Sequence, residues 1–160
     1  MSVQTTITNI RRSLPGILQD VQPMEKASFL LEDATIEFGK PVTRGTNPDR
    51  QAKLPSAGGD VFLGITIRDG SLENLTVGSN LAVYKEGQTM SILRQGAINV
   101  VASVAVAPDE LVYFYHTANG GFIAGDFVNA ADAGFTTLIP NAAWQLTTTA
   151  PGELSFIRLK

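Results

Sequence analysis

Short apolar segments run from Lys26 to the C-terminus, separated by Gly, Pro, Asn and Asp at intervals of about ten residues, a spacing typical of β-strands joined by turns. The clearest segment is Val61 to Arg68, in which Val61, Leu63, Ile65 and Ile67 alternate with other residues. Because side chains alternate between the two faces of a strand, this pattern predicts a strand with one covered face. No segment has the periodicity of a helix of three full turns. We therefore predict an all-β fold, either a compact β-sandwich or a small β-barrel.

The turn residues divide the chain into a series of predicted strands. Asn119-Gly120-Gly121 predicts a tight turn after the aromatic strand, and Gln95-Gly96 predicts another between two apolar segments. At most a single helical turn is expected at 129–133. The predicted strands are 27–31, 34–38, 40–44, 51–54, 61–68, 80–84, 89–94, 97–106, 111–116, 142–148 and 153–159.

Residues 1 to 25 are predicted to form an extended N-terminal arm, and residues 26–160 the β-domain. Pro15-Gly16 and Pro23 oppose regular structure in the arm, yet it carries several aliphatic side chains that could anchor it on another surface. The alternative is a frayed terminus that lies against its own domain. Deleting residues 1–22 is expected to leave the β-domain folded. The candidate anchors are Ile10, Leu14, Ile17, Leu18 and Val21.

Composition excludes several classes of function. The 160 residues include 12 basic and 15 acidic residues, so the net charge of -3 does not favour nucleic-acid binding. There are no cysteines, and neither a secretory signal nor an apolar membrane span is recognisable. Charged residues make up 17 % of the chain, a low share that favours a surface partly covered in the working state.

No group of residues indicates a catalytic, cofactor or metal site. His116 is the one histidine, and we expect it at the surface at the end of a strand, without a nucleophile beside it. The acidic residues lack the spacing of a calcium loop, and several flank turns. A pair of carboxylates distant in sequence, as in a small hydrolase, stays open as an alternative. Trp144 is expected to be a core residue with its N–H hydrogen-bonded.

The aromatic residues around the predicted tight turn allow two interpretations. Alternate residues could fill the core while the others face a neighbouring chain, which we favour. Alternatively, they could form a stacking platform on a carbohydrate-binding β-domain. The residues concerned are Tyr113, Phe114, Tyr115, Phe122 and Phe127.

An ordered set of short motifs resembles the structural cement proteins that decorate the capsids of tailed phages. In the N-terminal half these are Gln4-Thr5-Thr6, Pro15-Gly16-Ile17-Leu18-Gln19-Asp20, Phe38-Gly39, Val42-Thr43-Arg44-Gly45-Thr46, Lys53-Leu54-Pro55 and Gly59-Asp60-Val61-Phe62-Leu63-Gly64-Ile65. Further on they are Tyr84-Lys85-Glu86-Gly87-Gln88 and Pro140-Asn141-Ala142-Ala143-Trp144, with Asn141 where the family often has Gly. Asn tolerates the same left-handed turn.

The resemblance implies a non-enzymatic protein of the virion, made in the host cytoplasm and bound to the outer capsid surface. It implies homotrimers at threefold or quasi-threefold positions that bridge capsomers of the major capsid protein, with no cofactor, nucleic acid or membrane as partner. The arm would then contact the capsid or a neighbouring subunit. Its expected contact residues are Ile10, Arg11, Arg12, Leu14, Pro15, Ile17 and Leu18.

Overall fold

The structure is a computed structural model that describes residues 14–19, 23–70 and 83–160. These residues form twelve β-strands, so the all-β prediction is confirmed. The strands are β1 (Leu18–Gln19), β2 (Glu25–Leu31), β3 (Thr35–Glu37), β4 (Pro41–Arg44), β5 (Gln51–Lys53), β6 (Phe62–Thr66), β7 (Val83–Lys85), β8 (Thr89–Ala102), β9 (Leu111–Tyr115), β10 (Phe127–Val128), β11 (Thr136–Trp144) and β12 (Glu153–Leu159).

Five strands close into a small barrel. Their order is β8-β2-β5-β4-β6, and β6 pairs with β8 to complete the circuit. All these pairings are antiparallel except β2 with β5. Closure leaves no free sheet edge along this circuit. The hydrophobic core of the barrel region, which we call the barrel core, also includes residues of β3 and β7; its members are Leu31, Ile36, Phe38, Val42, Ala52, Leu63, Tyr84, Met90 and Ile92.

Strands β3 and β7 pair with each other as a separate two-stranded sheet, and four further strands extend the large sheet from the other half of β8. Their order is β8-β12-β11-β9-β10, and β10 returns to β8 through one parallel pair, Phe127 with Ala102. This sheet covers a second core centred on Trp144, whose ring meets Phe127 edge-on at 6.4 Å and 87°. Such aromatic pairs add about 1 kcal/mol beyond the area they bury. The long strand β8 is therefore the shared wall of two cores.

The turn predicted at Gln95-Gly96 is wrong, because β8 runs unbroken through these residues. Glu25 lies opposite Gln95, whereas the next residue, Lys26, lies opposite Leu93. One extra residue on β8 therefore forms a β-bulge, which bends a strand without ending it. Gly96, with φ of +123°, follows the bulge, and the strand continues alongside β12.

The single covered face predicted for residues 61–68 is also wrong. Val61 is 58 % exposed, Leu63 packs in the barrel core, and Ile65 and Ile67 pack in the second core. The cause is a second bulge, since Val42 and Thr43 of β4 lie opposite Gly64 and Phe62 of β6. Leu63, which lies between Phe62 and Gly64, is therefore one residue more than β4 has here. The alternation of side chains between the two faces of β6 changes phase at Leu63.

The strand predicted at 142–148 lies earlier, at Thr136–Trp144, and β10 was not predicted. Within β11 the register shifts between Leu138 and Ala143, and Asn141 there has φ of +58°. The left-handed conformation expected for Asn141 is confirmed. The predicted turn at Asn119-Gly120-Gly121 is confirmed too, since Asn119 and Phe122 exchange backbone hydrogen bonds of 3.1 and 2.9 Å. Residues 80–82 of the predicted strand 80–84 lie outside the described residues.

Candidate interaction surface

Residues 14–19, which we name the N-terminal strap, lie against the β-domain of their own chain. Gly16 donates its N–H to the Asn99 carbonyl at 2.8 Å, and its own carbonyl accepts the Arg68 N–H at 2.8 Å. After this turn, Leu18 and Gln19 form β1 and pair antiparallel with β8. The strap thereby joins the end of β6 to the middle of β8.

Asn99 recognises the strap with its side chain. Its Nδ2 donates to the Ile17 carbonyl at 3.1 Å, and its Oδ1 accepts from Gln19 Nε2 at 2.9 Å. Asn99 is only 4 % exposed, so these bonds satisfy a polar group in an otherwise apolar stretch of β8. No local sequence pattern indicates this role, because Asn99 and the strap are distant in the chain.

Some of the expected contact residues of the arm are exposed, and others pack against the β-domain. Leu14 and Ile17 are exposed, at 47 % and 37 %. Leu18 instead packs against the second core, and the Pro15 side chain lies close to Gly39. The remaining contact residues, Ile10, Arg11 and Arg12, lie outside the described residues, as does the candidate anchor Val21.

The outer side of the barrel is mostly polar. On β2 the outward residues are Lys26, Ser28 and Leu30, and on the adjoining half of β8 they are Thr89 and Ser91. All five are exposed. This is the usual arrangement for a sheet with one face on a core and the other in water.

The outer side of the second sheet is different. Val112 and Phe114 of β9 are fully buried in the core, so the residues between and beside them point away from it. Cross-strand pairs extend this outward row over neighbouring strands: Tyr113 lies opposite Leu138, Leu111 opposite Ala143, and Leu154 opposite Val101. We name this set the outer apolar face; it comprises Val101, Leu111, Tyr113, Leu138, Ala143, Leu154 and Phe156.

The members of the outer apolar face are accessible to different extents. Leu111 and Leu138 are exposed at 53 % and 42 %, and the other five are half-buried. Arg158 lies in the same row as Leu154 and Phe156 and opposite Ala143, so one charged residue interrupts the apolar surface. Neither face of this sheet therefore has the polar character seen outside the barrel.

The aromatic residues near the Asn119 turn do not form one exposed row. Phe114 and Phe127 belong to the second core, whereas Tyr113 faces outward. Tyr115 and Phe122 stack on each other at 4.8 Å, and Tyr115 is buried with its hydroxyl donating to Asp132 at 3.0 Å. Burial is the largest cause of the raised pKa of Tyr115, and the hydrogen bond to the Asp132 carboxylate and its charge raise this pKa further.

His116 is 6 % exposed, so the expectation of a surface histidine is wrong. Its Nδ1 lies 2.9 Å from the Thr117 hydroxyl, and its ring packs against Gly58, where a Cβ would come within 3.2 Å of Nε2. These contacts join two loops and give His116 a packing role. The sequence could not show this, because Gly58 lies far away in the chain.

Trp144 is a fully buried core residue, as predicted, but the prediction that its N–H is hydrogen-bonded is wrong. Within the part of the chain that the structure describes, Trp144 Nε1 has no hydrogen-bond partner. The burial of the ring outweighs the cost of one unsatisfied donor, which is about 1–3 kcal/mol.

Carboxylates act mainly as acceptors for turn backbones. Burial alone would raise the pKa of Asp60, but hydrogen bonds from the Ser56 and Ala57 N–H groups, with Lys53 nearby, lower it. The pKa of Glu110 is lowered by hydrogen bonds from Asn129 and from the Ala107 N–H. Stabilising turns is a sufficient reason for these residues.

Two further findings concern the described residues alone. In the ranges 14–19, 23–70 and 83–160, no three His, Asp or Glu residues are grouped so that they could hold a metal ion. Over the same ranges, no helix is long and apolar enough to cross a membrane.

A comparison with protein families matches residues 3–160 to the family described as structural cement protein (E217 gp24/Pam3 gp6). The chain belongs to the phage structural cement protein family. This match spans both the strap and the two cores, and it confirms the resemblance seen in the motifs. None of the curated proteins compared matches this cement protein.

A solved structure titled "The capsid of Myoviridae Phage XM1" contains a chain with the same fold as this cement protein. The TM-score is 0.74 at 15 % sequence identity, and the similarity covers 99 % of this chain and 97 % of that one. At this identity the likeness concerns the fold. Together with the family, it supports a structural role in a phage capsid.

Proposed function

We propose that this cement protein decorates the outer surface of a tailed-phage head. In this proposal it acts as a homotrimer at threefold or quasi-threefold positions, binds the major capsid protein, bridges capsomers and stabilises the expanded shell. The observation that carries the proposal is the family match over residues 3–160. The outer apolar face supports it, because such a surface is suited to a protein that works within an assembly.

The energetic role follows from mass action. A protein that binds the expanded shell and not its disrupted form stabilises the shell by an amount that grows with concentration and affinity. Many copies on one particle add their contributions, and bridging two capsomers makes the second contact effectively intramolecular. No catalytic step is needed for this function.

The N-terminal residues are proposed to make part of the contact. Leu14 and Ile17 are exposed on the strap, next to the proposed contact residues 10–12. Ile10 would supply apolar area, and Arg11 and Arg12 would meet acidic groups on a capsid or a neighbouring subunit. Pro15 and Leu18, which pack on their own domain, would hold this segment in place.

The carbohydrate-binding alternative loses its main support. It needs a row of exposed aromatic rings to stack on sugars, whereas Phe114, Tyr115 and Phe127 are buried and Tyr113 is the one aromatic residue of β9 that is not buried. We therefore propose a non-enzymatic structural role over a glycan-binding one.

The proposal is tested by mixing purified protein with expanded heads of its phage that lack it. We expect co-sedimentation with heads, saturation at a fixed number of copies, and density at threefold positions on the outer surface by cryo-electron microscopy. A protein without residues 1–13 is expected to bind more weakly. Absence of binding by the full-length protein would refute the proposal.

A further inference from the structure

We propose that the outer apolar face is covered by a second copy of this chain. The inference rests on the proposed function, because it assigns a surface to the subunit contact of the proposed trimer. It names the β8-β12-β11-β9 sheet as the contact, with Leu111 and Leu138 as its most exposed members.

Two parts of the molecule differ in the polarity of their outward surfaces. On the barrel side, the outward positions of β2 and of the first half of β8 include Lys26, Ser28, Thr89 and Ser91. On the other side, most outward positions of the sheet are apolar, and the polar exceptions are Asn99, which bonds to the strap, Thr136 and Arg158. One strand, β8, changes from Ser91 outward to Val101 outward as it passes from one region to the other. The two regions are therefore adapted to different surroundings.

The apolar character of the face also indicates which kind of partner covers it. Interfaces between proteins that also exist apart have about the same polarity as ordinary protein surface. Interfaces between identical chains that remain associated are more apolar and resemble a domain core. A capsid site must stay exposed until a shell is met. A second copy is present from synthesis onward. The apolar character of the face therefore favours a copy of the same chain over the capsid.

The size of the face suits the centre of a subunit contact. Four strands about 4.8 Å apart and five residues along β12 give a footprint of about 15 by 17 Å. A stable interface buries about 800 Å² on each partner, with an apolar centre and a polar rim. This footprint, which ends at Arg158 on β12, fits that centre, and Arg158 at its margin and the neighbouring Thr136 would belong to the rim.

The experiment compares charge insertions on the two outer surfaces. A variant with Leu111→Lys and Leu138→Lys tests the face, and one with Thr89→Lys and Ser91→Lys is the control on the barrel. All four positions are exposed outward sites on strands, so folding, followed by circular dichroism, should be retained. We expect a trimer by light scattering for the full-length protein and the control. We expect association of the face variant to be weaker by about tenfold or more, since two buried charges oppose it.

A second measurement does not depend on disrupting the contact. The chain has no cysteine, so the variants Leu138→Cys and Ser91→Cys each carry a single thiol. In the assembled protein we expect the thiol at position 138 to react with a soluble maleimide on the order of 10-fold more slowly than that at position 91, because it reacts only on opening of the contact. On dilution to monomers the two rates should converge.

The outcomes separate this inference from the proposed function. The inference is overturned if the full-length protein is monomeric, or if the face variant still forms trimers and the thiol introduced at position 138 reacts as fast as the one introduced at position 91. It is also overturned if the face variant remains trimeric but no longer binds heads, since the capsid would then be the occupant. Failure of the full-length trimer to bind heads would refute the proposed function and leave the subunit contact intact.

Discussion

At the scale of single residues, Gly16 combines a left-handed backbone with close packing. Its φ is +79°, and a Cβ there would lie 2.8 Å from the Arg68 nitrogen and 2.9 Å from Phe38 Cβ. Gly87 has a similar φ of +74° but open space around the Cβ position. Gly87 is therefore a control for the backbone effect alone.

We predict that Gly16→Ala lowers the free energy of unfolding more than Gly87→Ala does. The left-handed conformation costs each variant about 1–2 kcal/mol, and the first also disturbs the strap. Urea unfolding followed by Trp144 fluorescence measures both values. Equal losses of unfolding free energy in the two variants would contradict the close packing of the strap at Gly16.

Acidic residues that accept hydrogen bonds from turns predict a pH dependence of stability. Hydrogen bonds from the Thr46 N–H and hydroxyl lower the pKa of Glu32, and those from Asn129 and Ala107 lower that of Glu110. Each carboxylate then contributes stability that is fully present above 4.5, the ordinary value for Glu, and is lost as pH falls through the lowered pKa.

We therefore expect the unfolding temperature to decrease as the pH falls from about 5 to about 3, the range in which carboxylates ordinarily take up protons. In a variant with Glu32→Gln and Glu110→Gln the decrease should be smaller, because the amides do not titrate. Differential scanning calorimetry at a series of pH values measures the difference. An unchanged pH dependence would show that these turns do not contribute.

At the scale of elements, alternation and turn residues predicted most strands, but not their bulges. The phase change at Leu63, the continuation of β8 through Gly96 and the irregularity at Asn141 each depend on the strand that lies opposite. A bulge is one residue more on one strand than on the strand that lies opposite. The sequence of a single strand therefore does not show where its bulge lies. The same reason explains the packing of His116 against Gly58, since only the fold brings these loops together.

The strap gives a prediction for truncation that refines the expectation for residues 1–22. Deleting residues 1–13 should leave the unfolding free energy nearly unchanged, because the strap stays in place. Deleting residues 1–19 removes the hydrogen bonds that Ile17 and Gln19 make with Asn99 and the Gly16 carbonyl that accepts the Arg68 N–H. We expect a loss of at least about 2 kcal/mol, from several hydrogen bonds and the buried part of Leu18.

Thermal or urea unfolding of the two truncated proteins measures the difference. Protection of the Asn99 amide from hydrogen exchange should be lost in the shorter protein alone. Equal stability of the two forms would mean that the strap adds nothing to the fold.

At the scale of the whole molecule, the surface was less predictable than the fold class. The low charge content indicated a partly covered surface, but not its position. Leu111, Leu138 and Leu154 come from three strands, and their common face depends on the pairing of β9, β11, β12 and β8. The family, in contrast, was recognisable from ordered local motifs, because the residues of each motif are contiguous in sequence.

The central claim is that this protein stabilises a phage capsid by binding to it. The most direct test is the temperature at which expanded heads rupture, measured by release of a DNA-binding dye, with and without the purified protein. The account predicts a higher rupture temperature that rises with protein concentration and levels off when the sites are full. An unchanged rupture temperature on heads that are saturated with bound protein would contradict it.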